Sequence, residues 1–498
     1  MFKFRTINST GFFRLSPAKA LFFVAYIITA IFCEGFFHVD EHFQILEFAN
    51  WKMGHIPAGD LPWEFAEKMR PALQPALACA VWEMWDAMGY YTPFRVITVL
   101  RLLSALMAFA VAALMLRKIN SDFPATNKWN LFLMFGLWFS LFCGVRFSSE
   151  NWSGLMFAFA FLLLAWPVGK SSQDLRGKQW TFLLAGFLLG LSFVLRFQSA
   201  FLVAGLLAWF IFIQRAKWNQ LAIIATGGCI AVAIGLLVDR WFYGQWVITA
   251  WNYFSQNLLL GKVNTFGTNP WYYYFEAIFL RGIPPLSIVV IIAVVLGIIL
   301  KPKHALSFSL LPFFLVHFLI AHKEERFMFP LVPLVPLAMI VAYHAIKERE
   351  KLWRWFNSGV VKWTLRISIV VNVCLIPYVM FFSANERIEL FRFLYELQKH
   401  EPIQVYCLEP SPIHNKVSIA FYNGPQMTSL LLTKKQLKVL DPVEGTYLII
   451  PKLQEKQIER FGNRLERVYS TYPDWVLQFN FNNWLNRTGV WRVYKVRA

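Results

Sequence analysis

The chain has 498 residues, of which 57% are hydrophobic and 18% aromatic, while only 15% are charged. Its mean hydropathy is +0.47, and a soluble domain usually carries about 25% charged residues. One soluble core cannot bury this much apolar surface, so the sequence predicts a membrane-embedded protein. The net charge of +19 would suit a nucleic acid partner, but its distribution along the chain argues against one.

Eleven apolar runs, several of them short, approach the roughly 17–25 residues that cross a bilayer as a helix. Many are separated by only a few residues, so we expect neighbouring helices to form tight hairpins. The runs cover residues 18–37, 95–116, 129–145, 152–168, 180–195, 199–213, 221–238, 283–300, 305–320, 327–346 and 363–382.

Alternate connections between these runs carry an excess of Lys and Arg, which is typical of cytoplasmic loops. These basic connections lie within residues 3–19, 117–128, 170–178, 215–217, 301–303 and 347–362. The N-terminus is therefore predicted to be cytoplasmic, and much of the net charge is a topology signal. The remaining connections, which hold the unusual polar clusters, are predicted to share one external face. They are residues 38–94, 146–151, 196–199, 239–282 and 322–326.

After the last apolar run the chain changes character. Short strand-like segments (QVYCLEP, GTYLIIP and VWRVYKV) alternate with two amphipathic helical segments (RIELFRFLYELQKH and KLQEKQIERFGNRL). The sequence thus predicts a mainly α-helical transmembrane module, residues 1–382, followed by a small extracytoplasmic α/β domain, residues 383–498. The first external loop of the module, residues 38–94, is expected to carry amphipathic helices.

The six cysteines lie mostly inside apolar runs and form no CxxC pair, so we expect small buried hydrophobes and no metal site among them. The first apolar run lacks a small-residue cleavage site, so no cleavable signal peptide is expected. Motifs of ATP hydrolysis, dinucleotide binding, zinc peptidases and serine hydrolases are absent, as is DxD. We therefore expect an activated substrate delivered in the membrane and no cofactor. A divalent metal is not required, and one bound by Asp40 and Glu41 stays open.

Asp40 and Glu41 stand side by side where the first apolar run ends, flanked by His38 and His42. Adjacent residues on a helix point about 100° apart, so the two acids cannot face one spot. One would face a cavity, while the other would pair with an arginine or cap the helix. The functional interpretation is a general base tuned by burial and a basic neighbour. The alternative is an acid pair that begins an amphipathic helix.

The sequence HKEER, residues 322–326, lies between two apolar runs that leave room only for a tight turn. Gly or Asn would form such a turn more easily than five polar residues. Lys323 and Arg326 could hold a phosphate, with Glu324 and Glu325 orienting them. The alternative is an interfacial anchor whose cations reach headgroups, but basic residues on the external side run against the topology rule.

Further polar residues occupy external helix ends, where each pair alone is explained as a structural contact. They are Arg146 with Glu150, Arg196 with Gln198, and Asp239 with Arg240. Together they could surround one cavity. The segment 239–275 is dense in Trp, Tyr and Asn, which suits sugar binding through ring stacking and amide hydrogen bonds. An aromatic belt at the membrane interface explains the same composition.

Taken together, these motifs resemble glycosyltransferase family 22, the lipid-phosphate-mannose-dependent α-mannosyltransferases of the GT-C fold. The matching segments are HVDEHFQILEFA, LPWEF with Arg70-Pro71, DRWFYGQW, WNYF, FGTNPWYYYF and HKEERFMFPLVPL. Their order and spacing resemble most closely the enzymes that add the third mannose of the glycosylphosphatidylinositol (GPI) anchor. Val39 departs from the proline usual before the acid pair, and CLEPSPIHNKV matches its counterpart faintly. Both departures bear on the acceptor more than on the reaction.

The resemblance implies an inverting transfer of mannose from dolichyl- or polyprenyl-phosphate mannose to a hydroxyl of a glycolipid or glycan, within membrane lipids. Asp40 would be the general base, supported by Glu41. The residues implied for the donor phosphate are His322, Lys323, Glu324, Arg326, Arg146 and Arg196. Those implied for the sugar and acceptor pocket are Gln44, Trp63, Arg70, Asp239, Tyr243, Trp251, Asn252 and Trp271.

Two other functions stay open at this point: a glycolipid transporter or flippase, and a GT-C transferase that uses another lipid-linked sugar. Transporters usually show internal repeats and charges at the membrane midplane, whereas these polar groups cluster at one face. The lack of a long cytosolic extension and of a retention tail favours a bacterial inner membrane with a periplasmic site. In a eukaryote the site would face the lumen of the endoplasmic reticulum.

Overall fold

The chain forms a bundle of apolar helices that carries a small five-stranded sheet at one end. A computed structural model describes residues 16–165, 179–414, 419–424 and 426–497. Several predictions fall outside these ranges: the basic residues of 3–14 and 170–178, the end of the run 152–168, and residues 415–417 of CLEPSPIHNKV.

Each of the eleven predicted apolar runs falls largely on helices where it is described. In chain order the α-helices are α1 (Pro17–Phe32), α2 (Val39–Glu41), α3 (Phe48–Lys52), α4 (Trp63–Ala66), α5 (Leu73–Ala87), α6 (Pro93–Asp122), α7 (Asn127–Phe135), α8 (Trp138–Gly144), α9 (Ser149–Ala165), α10 (Gln179–Leu195), α11 (Ala200–Phe212), α12 (Trp218–Tyr243), α13 (Thr249–Phe254), α14 (Tyr273–Arg281), α15 (Leu286–Leu300), α16 (Ala305–Leu319), α17 (Val335–Lys347), α18 (Glu350–Phe356), α19 (Gly359–Phe381), α20 (Arg387–Gln398), α21 (Lys434–Val439) and α22 (Asp474–Leu477).

Among the described residues, four helical segments are long and apolar enough to cross a membrane. They are Pro93–Asp122, Trp218–Tyr243, Glu325–Lys347 and Gly359–Phe381. A fifth candidate is the pair α15 and α16, whose axes bend by 115°, and four shorter apolar helices accompany them. The protein is therefore a multi-pass membrane protein. Several predicted spans are shorter than a full crossing or broken.

The predicted run 129–145 is not one helix, because it breaks at Gly136 between α7 and α8. The Asn372 side chain of α19 stabilises the break from both sides. Its amide nitrogen donates to the Gly136 carbonyl at 2.6 Å, and its amide oxygen accepts from the Trp138 N–H at 3.0 Å. One polar side chain thus satisfies the backbone groups that the break exposes.

The helix α9 packs without a gap against Glu325–Leu334, a 3₁₀ segment that runs into α17. A Cβ atom on Gly154 would lie 2.5 Å from the carbonyl oxygen of Pro330. Only glycine permits so close an approach of two backbones. This contact fixes the depth at which the two segments cross.

The C-terminal sheet contains five strands: β1 (Ile403–Leu408), β2 (Met427–Leu432), β3 (Tyr447–Pro451), β4 (Leu465–Ser470) and β5 (Trp491–Val496). Their order is β2-β1-β3-β5-β4; β1 is parallel to β2 and β3, and β5 is antiparallel to both neighbours. The three predicted strand segments are β1, β3 and β5. The predicted helix KLQEKQIERFGNRL is instead a 3₁₀ stretch, Lys452–Arg464, interrupted at Gly462.

The sheet domain and the first loop share one hydrophobic core, in which residues such as Phe36, Ile45, Val405 and Ile449 are buried together. We call the end of the bundle that carries both segments the site end. The two segments meet because α19 ends at Phe381 beside the end of α1, where the Ala384 N–H donates to the Glu34 carbonyl at 2.7 Å.

Two buried carboxylates fasten the domain to the loop. Glu34 pairs with Arg101 of α6 and with Arg392 of α20. Glu47, fully buried, is 2.6 Å from the His42 ring and accepts the backbone N–H groups of Ala420 and Phe421 at 2.7 and 2.9 Å. Glu34 thus links the bundle to α20, and Glu47 links the first loop to the segment before β2. A shift of the domain would leave polar groups at both carboxylates unpaired.

We expect Glu47→Ala to destabilise the protein by about 3–5 kcal/mol, because it strands a buried imidazole and two buried N–H groups. Thermal unfolding in detergent should show a lower Tm, and limited proteolysis should release the C-terminal domain sooner. The matched control is Glu396→Ala, which removes an exposed carboxylate paired only with Lys399. Equal unfolding temperatures for the two variants would contradict this role of Glu47.

Candidate active site

The first loop turns back towards the bundle immediately after α1. Gly35 adopts a left-handed conformation (φ +80°), and a Cβ there would lie 3.0 Å from the Asn385 side chain. His38 then caps α2, its Nδ1 accepting the Asp40 N–H at 3.2 Å. A π-helical stretch, His42–Glu47, follows directly; such stretches are frequent at functional sites. The cap places Asp40 in a first helical turn at the edge of the bundle.

Arg326 joins three acids that are far apart in the chain. Its guanidinium forms an ion pair with Asp40, lies 3.2 Å from Oε1 of Glu150, and donates from Nε to Glu324 at 2.5 Å. Oε1 of Glu150 also contacts Arg196 at 3.2 Å. We call these five residues the ion-pair network. It connects the first loop, α9, the turn after α10 and the turn before α17.

The network keeps Asp40 charged yet reachable. Burial opposes ionisation of the carboxyl, but the Arg326 guanidinium, with Arg70 and His38, holds the pKa of Asp40 well below its usual range. The Asp40 side chain is 20% exposed, whereas that of Arg326 is 5% exposed. Asp40 is therefore an ionised acceptor that a hydroxyl group can approach from solvent.

Glu41 points away from this network. One of its oxygens accepts the Phe37 N–H at 3.3 Å, and the other has no hydrogen-bond partner within the described ranges. Burial raises the pKa of Glu41 to about 7. The two adjacent acids thus occupy different environments, and only Asp40 lies in the ion-pair network.

The 322–326 turn contributes to the site mainly by holding Arg326. His322 lies 3.0 Å from the Gly267 carbonyl and 2.9 Å from Glu324. Lys323, nearly fully buried, donates to the carbonyls of Asn269 and Ile320 at 3.0 and 2.5 Å. The cations predicted to hold a phosphate therefore already have partners inside the protein.

His38, Asp40 and Glu324 offer three potential metal-ligand atoms within 4.8 Å of one another. Two features of their surroundings disfavour a cation. Nδ1 of His38 accepts a backbone N–H, so in the neutral ring Nε2 carries the proton and cannot ligate. Arg326 already forms ion pairs with both carboxylates. Metal independence stays a prediction, and these contacts support it.

A small pocket that opens to solvent lies beside the network. Its polar lining consists of Gln44, Arg70, Gln74, Ser149, Arg196 and Tyr253, and we call it the arginine pocket. Arg196 belongs both to its wall and to the ion-pair network, so the pocket lies two ion-pair partners away from Asp40. Three of the residues predicted to bind substrate, Gln44, Arg70 and Arg196, meet here.

The pocket retains unused hydrogen-bond donors. Gln74 is 4% exposed, and its Nε2 has no partner among the described residues; the same holds for Nε of Arg70. Arg70 reaches Glu64 only at 3.4 Å and lies over the Tyr253 ring, 5.4 Å from its centroid. Buried donors without partners are costly, so the pocket is suited to a ligand rich in acceptor oxygens.

Sequence analysis did not identify Gln74, Ser149 or Tyr253. The available signal was weak: Gln74 is the only amide in the apolar stretch PALQPALACAVW, and it follows Arg70-Pro71 by a few residues. An isolated amide on a buried helix face needs a partner. That reasoning would have placed Gln74 beside a polar site, but it would not have shown which polar site.

Three of the predicted pocket residues brace the pocket wall instead of lining it. Tyr243 donates its hydroxyl to the Arg70 carbonyl at 2.7 Å, and the Asn252 amide donates to the Glu67 carbonyl at 3.0 Å. Asp239 accepts the Ala72 N–H at 2.7 Å and the Thr249 hydroxyl at 2.8 Å. These bonds hold residues 67–72 against α12 and α13.

The other predicted residues lie outside the network and the pocket. Trp63 stacks on Phe266, while Trp251 and Trp271 are exposed, consistent with an interfacial belt. Arg146 is 1% exposed and donates at 2.8 Å both to the Gly35 carbonyl and to Sγ of Cys33. Its contacts stabilise the turn after α1.

The sequence profile of the Alg9-like mannosyltransferase family matches residues 19–416 of the chain. The chain belongs to this family. The match spans the helical bundle and the first strand of the sheet, and it includes both Asp40 and the 322–326 turn.

Curated relatives of the family agree on the kind of enzyme. Mannosyltransferase APTG1 of Arabidopsis thaliana is 29% identical over 70% of this chain, and GPI alpha-1,2-mannosyltransferase 3 of Bos taurus is 25% identical over 66%. The aligned parts cover about 62% of each of those relatives. GPI mannosyltransferase 3 of Yarrowia lipolytica is 26% identical over 81% of this chain and 78% of its own length.

The fold has a solved counterpart. The crystal structure of ArnT from Cupriavidus metallidurans bound to undecaprenyl phosphate aligns over 98% of this chain and 99% of its own, with a TM-score of 0.51 and 10% sequence identity. The likeness confirms the predicted GT-C fold with its small C-terminal sheet domain.

Because Glu41 is buried, we expect the stability of the fold to depend on pH. The carboxyl titrates near 4.5 when unfolded but near 7 in the fold, so the folded state holds its proton over that interval. The free energy of unfolding should therefore fall as the pH rises from about 4.5 through 7. Glu41→Gln should abolish this pH-dependent decrease in the free energy of unfolding, which amounts to at most roughly 3 kcal/mol.

Tm measured from pH 4.5 to 8 in wild type and in E41Q tests this prediction. The two curves should converge at the acid end and separate towards pH 8, with E41Q the more stable protein. A constant difference across the range would show that Glu41 is not the titrating group.

Proposed function

We propose that the protein transfers mannose from a dolichyl- or polyprenyl-phosphate mannose donor to a hydroxyl group of a glycolipid or glycan. One observation carries the proposal: an ionised, accessible carboxylate, Asp40, is linked by ion pairs to a pocket that contains two arginines. The names of the relatives support mannose as the sugar. They also support a GPI-like glycolipid as the acceptor.

The reaction we propose is a single displacement with inversion at the anomeric carbon. The acceptor oxygen forms a new bond to that carbon while the bond to the phosphate oxygen breaks, and the leaving lipid phosphate takes the electron pair. Asp40 accepts the proton of the acceptor hydroxyl. Arg326 orients the carboxylate and keeps it ionised, so Asp40 needs no separate activation.

We place the donor phosphate in the arginine pocket. Arg326 and Lys323 have partners within the protein, whereas Arg70 and Gln74, which line the pocket, keep donors without a partner among the described residues. Charge-assisted hydrogen bonds from guanidinium groups stabilise a phosphate that gains charge as it leaves. In this proposal the 322–326 turn positions Asp40 through Arg326 and does not bind the donor.

The site is proposed to lie on the external side of the membrane, periplasmic in a bacterium or lumenal in a eukaryote. The basic connections that are described, such as residues 301–303 and 347–362, lie on the far side of the spanning helices from the site end. A transporter or a transferase for another lipid-linked sugar would give different products in the assays below.

Asp40→Asn should reduce mannose transfer by about 10²–10⁴-fold, because the amide cannot accept the hydroxyl proton. The assay is transfer of labelled mannose from dolichyl-phosphate mannose to a membrane lipid extract by the purified, reconstituted protein. Asp60→Asn, an exposed carboxylate in the same loop, is the matched control and should retain activity. Full activity of D40N would refute Asp40 as the base.

The same assay with a panel of lipid-phosphate sugars and with a nucleotide-linked mannose tests the donor. Transfer from another lipid-phosphate sugar, and not from the mannose donor, would replace mannose in the proposal. Movement of labelled glycolipid across the vesicle membrane without sugar transfer would favour a transporter.

Arg70→Gln should raise the KM for the lipid-phosphate donor about 10–100-fold, since it removes a charged hydrogen-bond donor from the phosphate. The KM for the acceptor should change little. Arg240→Gln is the matched control, because Arg240 is exposed and lies over Trp246, away from the pocket. An equal rise in both KM values of R70Q would argue against phosphate binding at Arg70.

A further inference from the structure

The connection between β4 and β5 presents three large aromatic side chains outward. Trp475, Phe479 and Phe481 are 66%, 67% and 87% exposed, and we call them the aromatic tip. Three large exposed rings within seven residues exceed the scattered apolar groups of an ordinary soluble surface. Such a group marks a surface that another apolar phase or partner covers.

The tip has a defined conformation. Leu477 is buried and anchors α22, and the Trp484 indole donates to the Phe479 carbonyl at 2.7 Å. Asn482 and Asn483 both adopt left-handed backbone angles, φ +53° and +52°, which asparagine tolerates better than most residues. The rings are therefore held outward by the turn itself.

The tip begins beside the end of a spanning helix. Tyr472 lies near Tyr378, which is one turn before the end of α19. At the other end of the same connection, the Gly489 N–H donates to Glu386 at 3.3 Å, five residues after that helix ends. The chain that carries the tip thus starts and finishes beside the outermost turn of α19.

That turn of α19 is itself aromatic and outward-facing. Tyr378, Phe381 and Phe382 are each 56–58% exposed, as expected where a spanning helix passes through the headgroup layer. The connection that carries the aromatic tip begins and ends beside this aromatic turn. This proximity is the reason to favour lipid over a second protein as the phase that covers the tip.

We propose that the aromatic tip inserts into the interfacial layer of the bilayer at the site end and anchors the C-terminal domain to the membrane. Trp and Phe side chains favour this layer, and the asparagines of the turn can bond headgroups. The proposal does not depend on the transfer reaction.

The anchor would complement the contacts that fasten the domain to the first loop. Ala420 and Phe421, which bond Glu47, precede β2 at one edge of the sheet, whereas the tip follows β4 at the other edge. Fixing both edges prevents the domain from rocking about the first loop, whose His42 lies two residues beyond Asp40. The membrane would then help to hold the active loop in register.

The test uses a nitroxide label at residue 481 (F481C) in full-length protein reconstituted in lipid nanodiscs. The background carries C229A and C374A, because Cys229 and Cys374 are the exposed cysteines among the described residues. Power saturation with oxygen, which concentrates in lipid, and with a water-soluble nickel chelate measures the phase around the label. Replacing a ring that is 87% exposed leaves the folded domain unchanged.

The matched control is V443C. Val443 is 65% exposed and lies just before β3, near the Tyr447–Lys495 pair. The tip adjoins the Pro451–Trp491 pair at the opposite end of these strands, about 14 Å away. The oxygen-to-nickel accessibility ratio should be several-fold higher at 481 than at 443. Equal ratios at the two positions would overturn the proposal. Exclusion of both relaxants from position 481 would also overturn it, because it would reveal a protein partner at the tip.

Discussion

One buried guanidinium organises the site end of this protein. Arg326 contacts carboxylates from three segments that are more than a hundred residues apart, and without it Asp40, Glu150 and Glu324 would repel one another in a poorly solvated space. Removing one partner of a buried ion pair leaves an uncompensated charge at a cost of several kcal/mol. The carboxylates and the arginine therefore depend on each other for their position.

This dependence assigns distinct tasks to neighbouring residues. Asp40 is exposed enough to meet a hydroxyl group, whereas Glu41, one residue later, is buried and tends to hold its proton. Arg196 connects the network to the arginine pocket, so three successive ion pairs, through Glu150 and Arg326, link the pocket to Asp40. The three-residue helix α2, capped by His38, is sufficient to place Asp40 and Glu41 in these two different environments.

Hydropathy and charge predicted much of the architecture. The apolar runs are helices, Asp40 and the 322–326 turn do meet, and three of the predicted substrate residues share a pocket. These successes rest on local patterns and on the one-sided placement of polar residues. Sequence could not show that Asn372 breaks the run 129–145, because the break depends on a side chain more than 200 residues away.

Other differences have the same origin. The edge strands β2 and β4 escaped prediction because most of their side chains stay partly or fully exposed, which leaves a weak apolar pattern. Lys323 and Arg326 looked available for a phosphate because their partners, backbone carbonyls and remote acids, leave no mark in the local sequence. Asp239, Tyr243 and Asn252 stood out as polar residues near the site, and the structure shows that they support its wall.

The contact between Gly154 and Pro330 limits how closely α9 and the 3₁₀ segment approach each other, and this affects the geometry of the site. Glu150 lies about one helical turn from Gly154 on α9, and Arg326 lies four residues before Pro330, so the two charged groups approach each other only as closely as the two backbones do. A single methyl group at position 154 would act as a wedge, driving α9 from the 3₁₀ segment and stretching the ion pair above. The separation of Glu150 and Arg326 is thus limited one helical turn deeper in the bundle, by an atom that is absent from one side chain.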